Sequence, residues 1–138
     1  MEWQDDFPMR DEVEDYAGRT REFVISCYEA GLGFTVRAEE EGANGLGYEF
    51  AAYSETSPYS ALGRVRQKMH RGVAMRHISR RHGEYQMLHE TLSGRIASDG
   101  RQVVLVVDGI PLGIPDLASI LSSHEGFTFE LKLTDGLE

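Results

Sequence analysis

Apolar side chains stand at every second position from Phe127 to Leu133, where Phe127, Phe129, Leu131 and Leu133 alternate with Thr128, Glu130 and Lys132. Period two puts one set on each face of an extended chain, which predicts an amphipathic strand closing a sheet. Burying four such side chains contributes roughly 6–12 kcal/mol before entropy is subtracted. Upstream, Val103–Val107 is a β-branched run around Leu105, followed by Asp108-Gly109 and then by Ile110 and Leu112. Asp-Gly tolerates the positive φ angles of a type I′ turn, so a hairpin is predicted there. Pro111 keeps its second arm short or at an edge. A helix opens at Pro115 and Asp116, carries Leu117, Ile120, Leu121 and His124 on one side, and ends at Gly126.

The first half follows the same logic. Residues 1–20 are polar and acidic and read as a flexible arm, with a helical turn near 11–17. Phe23–Tyr28 is rich in β-branched and aromatic residues and predicts a strand. Phe34, Val36 and Ala38 alternate with Thr35, Arg37 and Glu39, which predicts a second strand, and Tyr48, Phe50 and Ala52 predict a third. Ser57 and Pro58 are a helix cap and first-turn pair, and Leu62, Val65, Met69 and Val73 then recur at helical spacing. This helix is expected over 58–78, with Arg64, Lys68 and Arg71 opposite its apolar stripe. Gly63 and Gly72 each weaken it by about 1 kcal/mol relative to Ala. Tyr85, Leu88 and Leu92 fit a second, short helix, and Ile96 a short strand. These elements predict an α+β fold: a two-layer sandwich of one antiparallel sheet with two main helices on one face. The arm covers 1–20, a single domain covers 21–135, and 136–138 form a tail.

Composition narrows the class. The chain has 138 residues, 41% of them hydrophobic, which suits one globular domain with its own core. One cysteine, Cys27, excludes an internal disulfide. The acidic start lacks the pattern of a signal peptide, and no apolar run is long enough to span a bilayer, so a cytoplasmic location without membrane contact is expected. The net charge of −9 is unevenly spread. Residues 64–81 hold seven basic residues and no acidic one, whereas the remainder holds seven basic against 23 acidic, a net −16.

Several segments carry a resemblance. Gly47-Tyr48-Glu49-Phe50, Pro58-Tyr59-Ser60-Ala61-Leu62-Gly63-Arg64, Arg76-His77-Ile78, Val107-Asp108-Gly109 and the run from His124 to Leu131 resemble an uncharacterised prokaryotic domain family of unknown function. The resemblance covers roughly residues 34–135. His124 departs from it, standing where the family has an aromatic residue. It implies an intact domain and a prokaryotic source, and brings no activity, cofactor or catalytic residue.

No catalytic set emerges from the residues themselves. His70 and His77 lie two helical turns apart, too far to share a metal, so no metal ligands are assigned among the five histidines. Cys27 lies inside an apolar strand, where cysteine behaves as a small hydrophobe. Glu39, Glu40 and Glu41 read as a solvated strand end. The stretches Gly31–Gly33 and Gly42–Gly47 are each followed by a strand, not by the helix a phosphate loop needs. What stands out is the basic helix. Arg64, Lys68, Arg71, Arg76 and His77 are the candidate binding residues, suited to phosphate or to an acidic protein surface unless acidic groups at 11–15 and 39–41 lie over them. The expected function is a non-enzymatic binding or interaction domain without cofactor, with an acidic protein partner or self-association through a sheet edge. The alternatives are a nucleic-acid-binding module using helix 58–78 and an enzyme of unknown type.

Overall fold

Four antiparallel strands in chain order, β1 (Met9–Glu14), β2 (Thr20–Ala30), β3 (Gly33–Glu40) and β4 (Glu49–Ser54), form the N-terminal sheet of the computed structural model, which describes residues 2–137. The predicted alternation sets its register. Met9, Ile25, Ala38 and Phe50 stand opposite one another across the four strands, and Cys27, Val36 and Ala52 form the next row. Both rows pack against the apolar stripe of helix α1 (Pro58–Ala74), formed by Leu62, Val65, Met69 and Val73. Ser57 caps α1 by accepting the Tyr59 backbone N–H at 3.1 Å, with Pro58 in the first turn. Of the two helix glycines, Gly63 faces open space, whereas a Cβ at Gly72 would run into the Phe50 ring.

The C-terminal half carries the remaining elements: β5 (Ile78–Arg81), β6 (Glu84–Met87), β7 (Arg95–Ser98), β8 (Val103–Val107), β9 (Ile110–Leu112) and α2 (Ile114–Ser122). β5 and β6 form a hairpin, and β7, β8 and β9 a three-stranded antiparallel sheet. Asp108 and Gly109 both have positive φ, 54° and 75°, as their turn requires. Helix α2 packs against β6, β8 and β9 around Ile78, Val107, Leu112 and Ile120. Most buried apolar side chains gather in two clusters, one in each half.

The fold is α+β, but several expectations are corrected. The described residues form three antiparallel sheets, not one, and the two helices lie on different sheets. The acidic segment read as an arm contributes β1, because Met9 and Val13 turn inward, with Asp11 on the same face meeting Arg66 of α1, while Arg10, Glu12 and Glu14 face out. Helix α1 ends at Ala74, four residues early, since Met75 is already extended. The expected helix around Tyr85 is instead the β5–β6 hairpin, whose turn residues His82 and Gly83 have φ of 53° and 80°. Finally, residues 127–133 pair with no strand among the described residues.

Candidate functional site

The five basic-helix candidates are drawn into four different environments. Arg64 and Lys68 sit one turn apart on α1 and reach over to β4, the last strand of its sheet. Arg64 donates to the Tyr53 carbonyl, and Lys68 Nζ donates to the Ala51 carbonyl at 2.7 Å and to the Gly136 carbonyl at 3.0 Å. A carbonyl that already meets a cation is barred to an incoming strand, so the two side chains guard this edge. Arg71 is exposed. Arg76 lies beyond the end of α1, over the Tyr16 ring at 5.2 Å, and its Nε donates to the Ile78 carbonyl. Acidic cover of the helix is partial: Asp11 on β1 takes Arg66 at 2.9 Å. Asp15 and Glu40 are instead committed to Arg21, and Glu41 to Arg10.

His77, the fifth candidate, stands at the seam between the halves. Its backbone N–H and that of Ile78 donate to Asp108 Oδ2 at 2.8 and 2.9 Å, and its ring Nδ1 lies 2.8 Å from Asp108 Oδ1. The buried Asp108 carboxylate is thereby saturated by one dipeptide 30 residues away in sequence. Its positive φ puts it at the hairpin tip, where the side chain can project across the seam. The sequence pattern showed the turn but nothing of this contact.

Arg95 on β7 fastens the seam a second time. It donates to the Gly45 and Gly47 carbonyls at 2.6 and 2.8 Å and pairs with Glu49 at 3.1 Å, a carboxylate shared with Arg37. A third contact sets Tyr48 against Gly109, where an added Cβ would lie 2.8 Å from the ring. Burial, with the Asp108 charge nearby, pushes the Tyr48 phenol well above its ordinary range. Between these fastenings lies a half-open cleft of about 300 Å³, lined by Tyr48, Glu49, Lys68, His77, Arg95 and Asp108 among others. That volume is at the lower end for small-molecule sites. The carboxylates within it are taken up by partners of this chain, and Arg76 is not among its lining residues. Among the described residues no three histidine, cysteine or acidic side chains converge as a metal site would require. Among the described residues no helix is long and apolar enough to cross a membrane.

The remaining unusual surface is the segment from Phe127 to Leu133. Phe127, Phe129, Leu131 and Leu133 are 67–90% exposed, and residues 127–135 run without a turn or bend. The run is held at both ends. Phe127 donates its N–H to the His124 carbonyl at 2.9 Å and packs edge-on against the His124 ring, while the Gly136 carbonyl accepts from Lys68.

Comparison with known proteins divides the chain where α1 ends. Residues 5–74, just over half of it, match the family model described as "Domain of unknown function (DUF7686)", and residues 76–138 match "Domain of unknown function (DUF7713)". No curated protein and no solved structure matches the chain.

Proposed function

The chain belongs to the DUF7686 family of domains of unknown function, and we propose that it acts as a non-enzymatic interaction domain that docks through the segment Phe127–Leu133. One observation carries this reading. Four large apolar side chains stand at alternate positions of a run that has no turn or bend and no strand partner among the described residues, and all four are left in water. Isolated exposed apolar residues need no explanation, but a contiguous row of them marks an interaction surface. The basic helix serves this reading poorly as the docking face. Arg64 and Lys68 are bound to β4 carbonyls and Arg66 to Asp11, which also speaks against nucleic-acid binding there.

The rest of the chain is scaffold in this proposal. Helix α1 covers the N-terminal sheet and α2 covers strands of the other two, a layered arrangement. The contacts of Asp108, Arg95 and Gly109 across the seam support treating the two halves, β1 included, as one working unit. A single unpaired thiol suits the reducing cytoplasm. The test is a double substitution, Phe129→Ser with Leu131→Ser. A docking surface contributes little to the free fold, so the unfolding free energy should move by no more than about 0.5 kcal/mol. A loss of several kcal/mol would place these side chains in a core and end the proposal.

A further inference from the structure

Resting on that reading, we infer that the occupant of the segment is the same segment of a second copy, paired antiparallel about a two-fold axis through Leu131. The observation is charge complementarity within seven residues. In an antiparallel pair, directly opposed residues share a face, so only registers that keep apolar opposite apolar are allowed. Four such self-pairings keep part or all of Phe127–Leu133 in contact, centred on residue 129, 130, 131 or 132. Centring on Phe129 sets Glu130 opposite Thr128, Lys132 opposite Gly126 and Leu133 opposite Glu125, so neither charge of the segment meets an opposite one. Centring on Glu130 sets Glu130 against its own copy, and centring on Lys132 sets Lys132 against its own copy. Like charges directly opposite destabilise a pair. Centring on Leu131 sets Glu130 opposite Lys132 and, by symmetry, Lys132 opposite Glu130. Phe129 then meets Leu133, Leu131 meets Leu131, and Thr128 meets Thr134. Every apolar side chain from 129 to 133 gains an apolar neighbour, and both charges gain an opposite one.

The geometry suits this use. The run has no turn or bend and is held at both ends, so part of its chain entropy is already lost before pairing. No strand pairs with either of its edges among the described residues. Its charges do not guard it as Arg64 and Lys68 guard β4; they select a partner of complementary register. A two-stranded ribbon alone is marginal in water, and its apolar face needs cover. Helix α2, which precedes the segment, exposes Ile114 and Leu121 in each copy and supplies apolar surface for that purpose. The contact is isologous, so it closes at a dimer.

Sedimentation equilibrium of the full chain tests the inference through a charge swap. The unmodified protein should dimerise reversibly. Glu130→Lys and Lys132→Glu should each weaken the dimer about tenfold or more, because each places two like-charged pairs across the axis. An equimolar mixture of the two variants should recover the original affinity as a heterodimer, since every opposed pair is again Lys with Glu. The doubly swapped chain should recover it as a homodimer. Single variants that dimerise as well as the original would overturn this register. If Phe129→Ser with Leu131→Ser still abolishes association in that case, the docking reading survives without it. A chain that stays monomeric up to about 1 mM, an affinity worth only about 4 kcal/mol, would overturn the second copy as occupant. Unchanged folding of the serine variant would then leave the segment a docking surface for another partner.

Discussion

Asp108 grips His77 by both its backbone and its ring, and through it ties the tip of the β8–β9 hairpin to the first residues after α1. The carboxylate is almost wholly enclosed, so each of its hydrogen bonds replaces water that cannot reach it. Asp108→Ala would leave the Ile78 N–H without its buried acceptor as well as those of His77. The expected loss is about 2–3 kcal/mol of unfolding free energy, read by urea denaturation. Asp108→Asn keeps the left-handed turn residue but turns an amide NH2 toward one set of donors, so it should recover only part of the loss. If alanine costs less than about 0.5 kcal/mol, the two halves do not depend on this contact.

The two glycines of α1 make opposite predictions from the same substitution. Alanine in a helix interior is favoured over glycine by about 1 kcal/mol. Gly63 is exposed with open space around it, so Gly63→Ala should stabilise the protein by up to about 1 kcal/mol. Gly72 lies where the Phe50 ring crosses the helix. Gly72→Ala must displace that ring from between Phe23 and Tyr48, and should cost about 1–3 kcal/mol. Thermal unfolding of the two variants should move in opposite directions.

Much of this was legible locally, and the misses share a cause. The Asp108-Gly109 turn, the Ser57 cap and the alternation over Phe34–Ala38 are short-range signals, and all three are in the structure. His82-Gly83 is also a short-range turn signal, but Tyr85, Leu88 and Leu92 happen to fit a helical spacing as well as a strand. In β1 the inward face holds only two apolar residues, Met9 and Val13, with Asp11 between them, too few to stand out among acidic neighbours. The pairing of Asp108 with His77 joins positions 31 apart, and no local pattern encodes it. The alternation at 127–133 is a strand pattern in sequence, and no strand among the described residues pairs with it.

Acid should weaken the N-terminal sheet through Asp15. Burial alone would raise this carboxyl, but hydrogen bonds from Arg21 and from the Arg19 and Ala17 backbone N–H groups outweigh it and hold the carboxyl below its ordinary range. A folded-state value below the unfolded one means that the unfolded chain binds the proton first, so stability from this group is complete above the unfolded value of about 3.9. It is lost as pH falls from there through the folded value. Asp15→Asn should therefore lower stability at neutral pH and flatten the decline below about pH 4. If the acid limb keeps its slope in the variant, another carboxylate governs it.

Arg64 and Lys68 give the sharpest separation between a protective and a binding role for the basic helix. Their guanidinium and ammonium groups rest on carbonyls of β4, which has no strand neighbour on its far side among the described residues. Replacing both with alanine frees those acceptors and removes two positive charges from the edge. Exposed side-chain contacts of this kind carry about 0.5–1 kcal/mol each, so the fold should survive with a modest loss. What should change is solubility, because an unguarded edge is a template for another strand. The expected outcome is faster, concentration-dependent aggregation of the double variant, followed by light scattering at fixed temperature. Binding to a short duplex at low salt should be as weak as in the parent chain. A duplex affinity in the parent that falls with salt and vanishes in the variant would reassign the helix to nucleic acid, because phosphate contacts carry that salt dependence and edge protection does not.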